Sequence, residues 1–316
     1  MTRVAAFDCG TNSLRLLIAD LNPDGPDPLV DVAREMRIVR LGEHVDETGR
    51  LSSAAIERTL AAVDEYRELI DRFGAERLRF VATSAMRDAA NGNELVEAVR
   101  ARLGVTPEVI PGSEEAALSF AGATATLGGY PNTPILLVDI GGGSTEFVLG
   151  DDWVQASLSV NMGSVRVTER FDTQPENLAG IAAATQWVDQ QLDMVEEEID
   201  FGLIRSVVGV AGTVTTLAGK ALDVPEYSPN VTHGAFLSWE QWGAAAQFMI
   251  EEPVETKAAL PFMPTGREDV IGAGALIWQQ ILCRVRRRTE DLGLDLGGAF
   301  CSEHDILDGI ALSLAD

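Results

Sequence analysis

Ile135-Leu-Leu-Val-Asp-Ile-Gly-Gly-Gly-Ser-Thr-Glu-Phe-Val-Leu149 decides how this chain is read. The apolar run Ile135–Val138 predicts a buried strand, which ends at Asp139. Three glycines follow, then Ser144, Thr145 and Glu146, then a second apolar run. Consecutive glycines let the backbone turn tightly, and their N–H groups can converge on an anion. Carboxylates at each end of such a loop, Asp139 and Glu146, suit a hard cation seated beside bound phosphate. A plain glycine-rich hairpin is the alternative.

The N-terminus repeats the pattern. Val4-Ala-Ala-Phe-Asp-Cys-Gly-Thr-Asn-Ser-Leu-Arg-Leu-Leu-Ile18 also reads strand, Asp, tight polar loop, strand. Laid over the first stretch without a gap, Asp8 falls on Asp139, Gly10 on Gly141 and Ser13 on Ser144. Two copies of one phosphate-loop hairpin imply two related lobes.

The paired Asp-x-Gly loops resemble those of the actin, sugar-kinase and heat-shock-chaperone superfamily. The wording FDCGTNS followed by VDIGGGSTE resembles the exopolyphosphatase/guanosine pentaphosphate phosphohydrolase family, and the likeness runs over nearly the whole chain. It implies an α/β fold of two actin-like (ribonuclease-H-like) lobes. Each has a mixed sheet flanked by helices, and the active site is expected in the interlobe cleft. The implied domains are residues 1–127 with 301–316, and residues 128–300.

Composition bounds the rest. The chain has 316 residues, enough for two domains, and its 46% hydrophobic and 23% charged residues are ordinary for a globular protein. No apolar run approaches membrane-helix length, and the N-terminus enters a strand at once, so neither a membrane span nor a signal peptide is expected. Three scattered cysteines fit a reducing cytoplasm, and no zinc spacing is present. A net charge of −25 argues against nucleic-acid binding and sits awkwardly with a polyanionic substrate. A phosphate ligand then needs local cations, backbone amides and metal.

Along the chain, Asn22–Pro28 reads as a loop and Leu29–Val39 as a strand. A helix is expected after Leu51, with Ile56, Leu60, Val63 and Ile70 in its core face. Ala82–Arg87 reads as a polar loop beyond the strand Leu78–Val81, a usual place for a site in α/β folds. Arg87 there is a candidate phosphate fork, strengthened by resemblance to the family's Thr-x-x-x-Arg. Ser113 is expected to cap a helix that opens with Glu114 and Glu115. The helix dipole alone accounts for acids there, but the resemblance places the family's catalytic carboxylate in Gly-x-Glu-Glu-Ala, at Glu115, with Glu114 pointing elsewhere. Gly128–Pro134 reads as an interdomain linker. Ser206–Val210 running into Ala211-Gly-Thr-Val-Thr-Thr216 is a strand–helix junction suited to phosphate, and it matches the family's second phosphate loop. Ser238 with Gln241 forms a capping box. Gly272 and Gly274 are read as packing residues. Arg284, Arg286, Arg287 and Arg288 form either a solvated helix face or a docking strip for a polyanion. His304-Asp305 belongs to a closing segment like the family's, not to a metal-hydrolase motif. Longer members append a further helical domain, which is not expected here.

The resemblance implies these roles. Glu115 deprotonates water and Arg87 neutralises developing charge. Cys9, Gly10, Thr11, Asn12, Ser13, Gly141, Gly142, Gly143, Ser144, Gly212, Thr213 and Arg166 bind phosphate. Asp139 and Glu146, with Asp8, hold Mg²⁺, or Mn²⁺ in its place. The expected reaction is exopolyphosphatase, releasing orthophosphate from the end of inorganic polyphosphate. Hydrolysis of guanosine pentaphosphate at its 5′ end shares every motif and stays open. A sugar kinase or actin-like scaffold is more distant, because it needs an adenosine pocket and an Asp base that this chain does not present. A cytoplasmic homodimer acting on polyphosphate or guanosine pentaphosphate, apart from membrane and nucleic acid, completes the expectation.

Overall fold

The computed structural model describes residues 2–315 except 23, 24, 26, 27 and 128–130. Part of the first expected loop (Pro23, Asp24, Pro26, Asp27) and the first three residues of the expected linker (Gly128, Gly129, Tyr130) therefore lie outside the described residues. The chain divides into two compact units, residues 1–126 with 305–316, and residues 127–304.

Unit 1 is built on β1 (Thr2–Cys9), β2 (Ser13–Leu21), β3 (Leu29–Ile38), β4 (Arg77–Ala82) and β5 (Glu108–Val109), in the order β3-β2-β1-β4-β5. The sheet is mixed: β1 pairs antiparallel with β2 and parallel with β4. Side chains alternate across β1. Ala5, Phe7 and Cys9 face one core with Ala55, Val63 and Tyr66 of the helix Ser53–Phe73. Val4 and Ala6 face another, covered by Leu118 of the helix Gly112–Leu127 and by Ile306, Leu307 and Ile310 of the helix Ile306–Leu312. Those two helices approach where they carry glycine. A Cβ on Gly122 would stand 1.9 Å from the Asp305 carbonyl oxygen, and one on Gly309 would stand 2.0 Å from that of Leu118.

Unit 2 repeats the scheme with β6 (Ile135–Ile140), β7 (Thr145–Gly150), β8 (Val154–Val160), β9 (Ser206–Val210), β10 (Phe236–Ser238) and β11 (Gly298–Cys301). Its order is β10-β11-β9-β6-β7-β8. Read from β8, this is antiparallel, antiparallel, parallel, parallel, as in unit 1, with β10 added at one edge. The core holds Leu136, Val138 and Phe147 with Val188, Leu192 and Val195 of the helix Leu178–Glu198. Trp278 of the helix Ile271–Asp291 packs in the same core.

The hairpin repeat holds in register. Asp8 stands opposite Arg15, and Asp139 stands opposite Glu146. The Gly10 amide donates to the Ser13 carbonyl at 3.0 Å, and the Gly141 amide donates to that of Ser144 at the same distance.

Local expectations fare unevenly. The helix starting after Ser52, the Ser238 capping box and the close packing at Gly272 and Gly274 are all present. Ala82–Arg87 is not simply a loop, because Ser84–Asp88 is one helical turn. Ser113 does not cap its helix, which already starts at Gly112.

Candidate functional site

Glu115 sits in the first turn of the helix Gly112–Leu127 and is only 8% exposed. Arg87 Nη1 donates to its Oε2 at 2.6 Å, and donates also to the Ile110 carbonyl at 2.9 Å. Burial drives the Glu115 carboxyl up to about 7, and the nearby Asp8 adds to the rise. Arg87 and the Thr83 hydroxyl oppose it by bonding the charged form. The result is a carboxylate that gains and loses its proton near neutral pH, as a general base requires. Glu114 points away, with Arg79 Nη2 at 2.7 Å from its Oε1.

The loop Cys9–Ser13 is braced from several sides. The Thr11 and Ser84 hydroxyls share a buried 2.8 Å hydrogen bond. The Asn12 carbonyl accepts from the Val39 and Arg40 amides, and the Thr11 carbonyl from the Gly42 amide. Burial pushes the Cys9 thiol well up, so it stays a neutral space-filler. Asp8, grouped by the sequence with metal ligands, is engaged by arginine: Arg15 Nε and Nη2 donate to its Oδ2 at 2.9 and 2.7 Å.

In unit 2 the Gly141–Ser144 loop is braced in a similar way. The Gly141 carbonyl accepts from the Ser164 amide, and that of Gly142 from Val165 and Arg166. Arg166, which the sequence suggests as a phosphate ligand, donates through Nε to the Gly143 carbonyl at 2.7 Å and so braces the loop. Gly163 lies directly behind: a Cβ there would stand 2.3 Å from the Gly142 carbonyl carbon and 2.5 Å from the Gly143 nitrogen. Asp139 and Glu146 are both buried, at 5% and 1% exposure, and lie opposite each other on one face of β6–β7. Ser159 Oγ donates to Glu146 Oε1 at 2.7 Å. Among the described residues no three His, Cys, Asp or Glu side chains gather as a metal cage. Two carboxylates beside an amide-rich loop nonetheless fit Mg²⁺, which keeps waters and takes phosphate oxygens as its other ligands.

The junction that the sequence suggests for phosphate lies where β9 turns into the helix Ala211–Ala221. Ala211 holds φ at +65°, a left-handed conformation that costs a residue with a Cβ on the order of 1 kcal/mol or more. Such strain persists only where the surrounding structure fixes the backbone. Over Gly212 lies a residue that sequence reasoning missed. A Cβ on Gly212 would stand 2.0 Å from Arg267 Nη1, and that nitrogen is 3.5 Å from Thr216 Oγ1. A guanidinium above a helix N-terminus is a phosphate-binding pairing. The one signal in the sequence was an arginine just ahead of the Gly272–Gly274 helix.

The model of the Ppx/GppA phosphatase family matches residues 18–290. The chain belongs to that family. It is 44% identical to "Exopolyphosphatase 2" of Mycobacterium tuberculosis, over 100% of this chain and 99% of that protein. A solved structure described as an exopolyphosphatase-like protein superposes with a TM-score of 0.93 at 41% identity, covering 99% of this chain and 97% of its own. The Ppx/GppA structure from Aquifex aeolicus superposes with a TM-score of 0.78 at 31% identity, with the same coverage of both chains.

The basic run of this family member is largely committed elsewhere. Arg284 is buried and bridges Asp193 and Glu196, each at 2.8 Å. Arg288 also bonds Glu196, at 2.6 Å, and Arg286 bonds Glu290 at 2.8 Å. The docking-strip reading loses most of its cations to these pairs. Near the end of unit 2, Glu303 accepts from Tyr227 Oη at 2.5 Å and from the Thr232 hydroxyl. This ties the closing Ser302-Glu303 segment down.

Proposed function

We propose that the protein is an exopolyphosphatase, removing the terminal phosphoryl group of inorganic polyphosphate as orthophosphate. The observation that supports this reading is Glu115, a buried carboxyl that burial pushes up to about 7 and that Arg87 holds at 2.6 Å, in a chain of the Ppx/GppA phosphatase family. Two relatives, one in sequence and one in structure, bear exopolyphosphatase names.

In this reading the loops Cys9–Ser13, Gly141–Ser144 and Gly212–Thr213 hold phosphate oxygens through backbone N–H, and Arg267 adds charge at the third. Glu115 accepts a proton from water as the water oxygen bonds to the terminal phosphorus. The bond from that phosphorus to the bridging oxygen breaks, and the shortened chain leaves with the electron pair. Arg87 fixes the carboxylate and holds positive charge beside the reacting group. Asp139 and Glu146 would hold Mg²⁺, which when bound supplies charge neutralisation for the phosphate oxygens. Catalysis of this kind is positioning and electrostatic stabilisation. Three unpaired cysteines, Cys9, Cys283 and Cys301, favour a reducing, cytoplasmic setting.

The test is orthophosphate release from tripolyphosphate without nucleotide, run beside guanosine pentaphosphate under the same conditions. Turnover of tripolyphosphate that Glu115→Gln abolishes supports the proposal. Turnover of guanosine pentaphosphate alone would replace it with the nucleotide reading.

A further inference from the structure

Both units carry the same hairpin, and one position in it is chemically inverted. The gapless overlay that places Asp8 on Asp139 places Arg15 on Glu146, and each partner stands directly across the strand pair from its aspartate. At this position unit 2 carries two carboxyl side chains, whereas unit 1 carries a carboxylate and a guanidinium. Arg15 does more than match Asp8. Its Nη1 donates to Asp305 Oδ2 at 2.5 Å, while Nε and Nη2 hold Asp8. Asp8 and Asp305 are 5% and 2% exposed, and one guanidinium bridges them.

We propose that Arg15 is a built-in cation, doing for Asp8 and Asp305 what a divalent metal does for Asp139 and Glu146, and so restricting the protein to one metal ion per chain. The inference rests on the assignment of metal to Asp139 and Glu146. Two carboxylates brought together by one guanidinium form a ligand set that a divalent ion could also satisfy, given water for its remaining positions. Removing the guanidinium leaves two buried carboxylates with uncompensated charge, which a proton or a divalent cation can relieve; in the proposed arrangement the cation does so. The C-terminal helix should stay docked without Arg15. Asp305 still caps it through the Leu307 amide, and Arg34 Nη2 holds Asp308 Oδ1 at 2.5 Å.

The experiment counts Mn²⁺ ions by electron paramagnetic resonance, in enough salt to screen the acidic surface. It uses wild type, Arg15→Lys, Arg15→Gln and the double variant Arg15→Gln/Glu146→Gln. The expected numbers are one, one, two and one per chain. Thermal denaturation gives the second readout: Arg15→Gln should melt below wild type without metal and recover most of the difference in Mn²⁺. One ion on both wild type and Arg15→Gln overturns this inference and leaves the Asp139–Glu146 assignment standing. No ion on wild type removes that assignment, and this inference with it. An Arg15→Gln protein that fails to fold, with or without Mn²⁺, also overturns the inference, because the metal then cannot replace the guanidinium.

Discussion

Arg87 Nη1 stands 2.6 Å from Glu115 Oε2 and also donates to the Ile110 carbonyl, so the arginine fixes the carboxylate to the backbone that precedes its helix. The same contact moderates the proton affinity of Glu115. Burial raises it, and Arg87 holds the rise in check.

With Glu115 as the proposed base, activity should climb with pH through about 7, because a general base works when deprotonated. Arg87→Met removes a group that favours the charged form, so the acidic limb of kcat/KM should move to higher pH and the rate at neutral pH should fall. Arg87→Lys should lie between. A pH–rate profile for tripolyphosphate checks this, and an unmoved acidic limb would show that Arg87 does not act through Glu115.

Glu115→Gln should lose roughly a hundredfold or more in kcat, in the usual range for removal of a general base or above it. Glu114→Gln should change little, because that side chain only meets Arg79 at the surface. Stability should move differently. With its pKa raised from 4.5 to about 7, folded Glu115 keeps a proton that the unfolded chain releases. Stability should then decrease as pH rises through that window. Urea midpoints at pH 5 and pH 8 should differ more for wild type than for Glu115→Gln. Parallel pH dependence in the two proteins would contradict the burial account.

Asp139→Asn and Glu146→Gln should each raise the concentration of divalent ion needed for half-maximal activity, and excess chelator should abolish turnover in wild type. Activity that survives chelation unchanged would remove the metal from the scheme.

Gly163→Ala puts a methyl group 2.3 Å from the backbone of Gly142, which must shift. The expected cost is about 1–3 kcal/mol of stability, typical of overpacking, with at least a tenfold loss in kcat if the displaced Gly141–Ser144 loop holds phosphate as proposed. Gly243→Ala, where a Cβ meets open space, is the control. Denaturation midpoints and steady-state rates on both variants decide it.

Neutralising Arg286 and Arg288 together should alter long-chain and tripolyphosphate turnover alike. Arg286 pairs with the exposed Glu290 and Arg288 with the largely buried Glu196, and an exposed pair contributes about 0–1 kcal/mol. A selective rise in KM for long polymer would restore the docking strip.

The hairpin repeat was legible because strand side chains alternate with period two, so an ungapped overlay carries register with it. Which residue stands opposite Asp139 is set by the turn as well, and the structure puts Glu146 there. The pairing of Arg15 with Asp305 spans 290 positions, and no local pattern encodes it. Arg267 over Gly212 was hidden in the same way. The Arg284–Arg288 run was misleading for a related reason: its partners Asp193 and Glu196 lie about one hundred positions away on another helix. Ser113 failed as a cap because capping is decided by one residue of backbone geometry, which sequence signals place only to within a residue or two.

The order in which the chain is synthesised meets an obstacle in the helix Ile306–Leu312. The apolar face formed by Val4, Ala6, Leu17 and Val81 is complete only when Ile306, Leu307 and Ile310 lie against it. During translation the ribosome must first make the whole of residues 127–304, which at about 5–20 residues per second takes on the order of ten to thirty-five seconds. Through that interval the first unit is a nascent domain with one sheet face partly bare. Unit 2, contiguous in sequence, has no such wait. The nascent chain is thus open to chaperone capture and to aggregation at its N-terminal end, although that end is the first to be made.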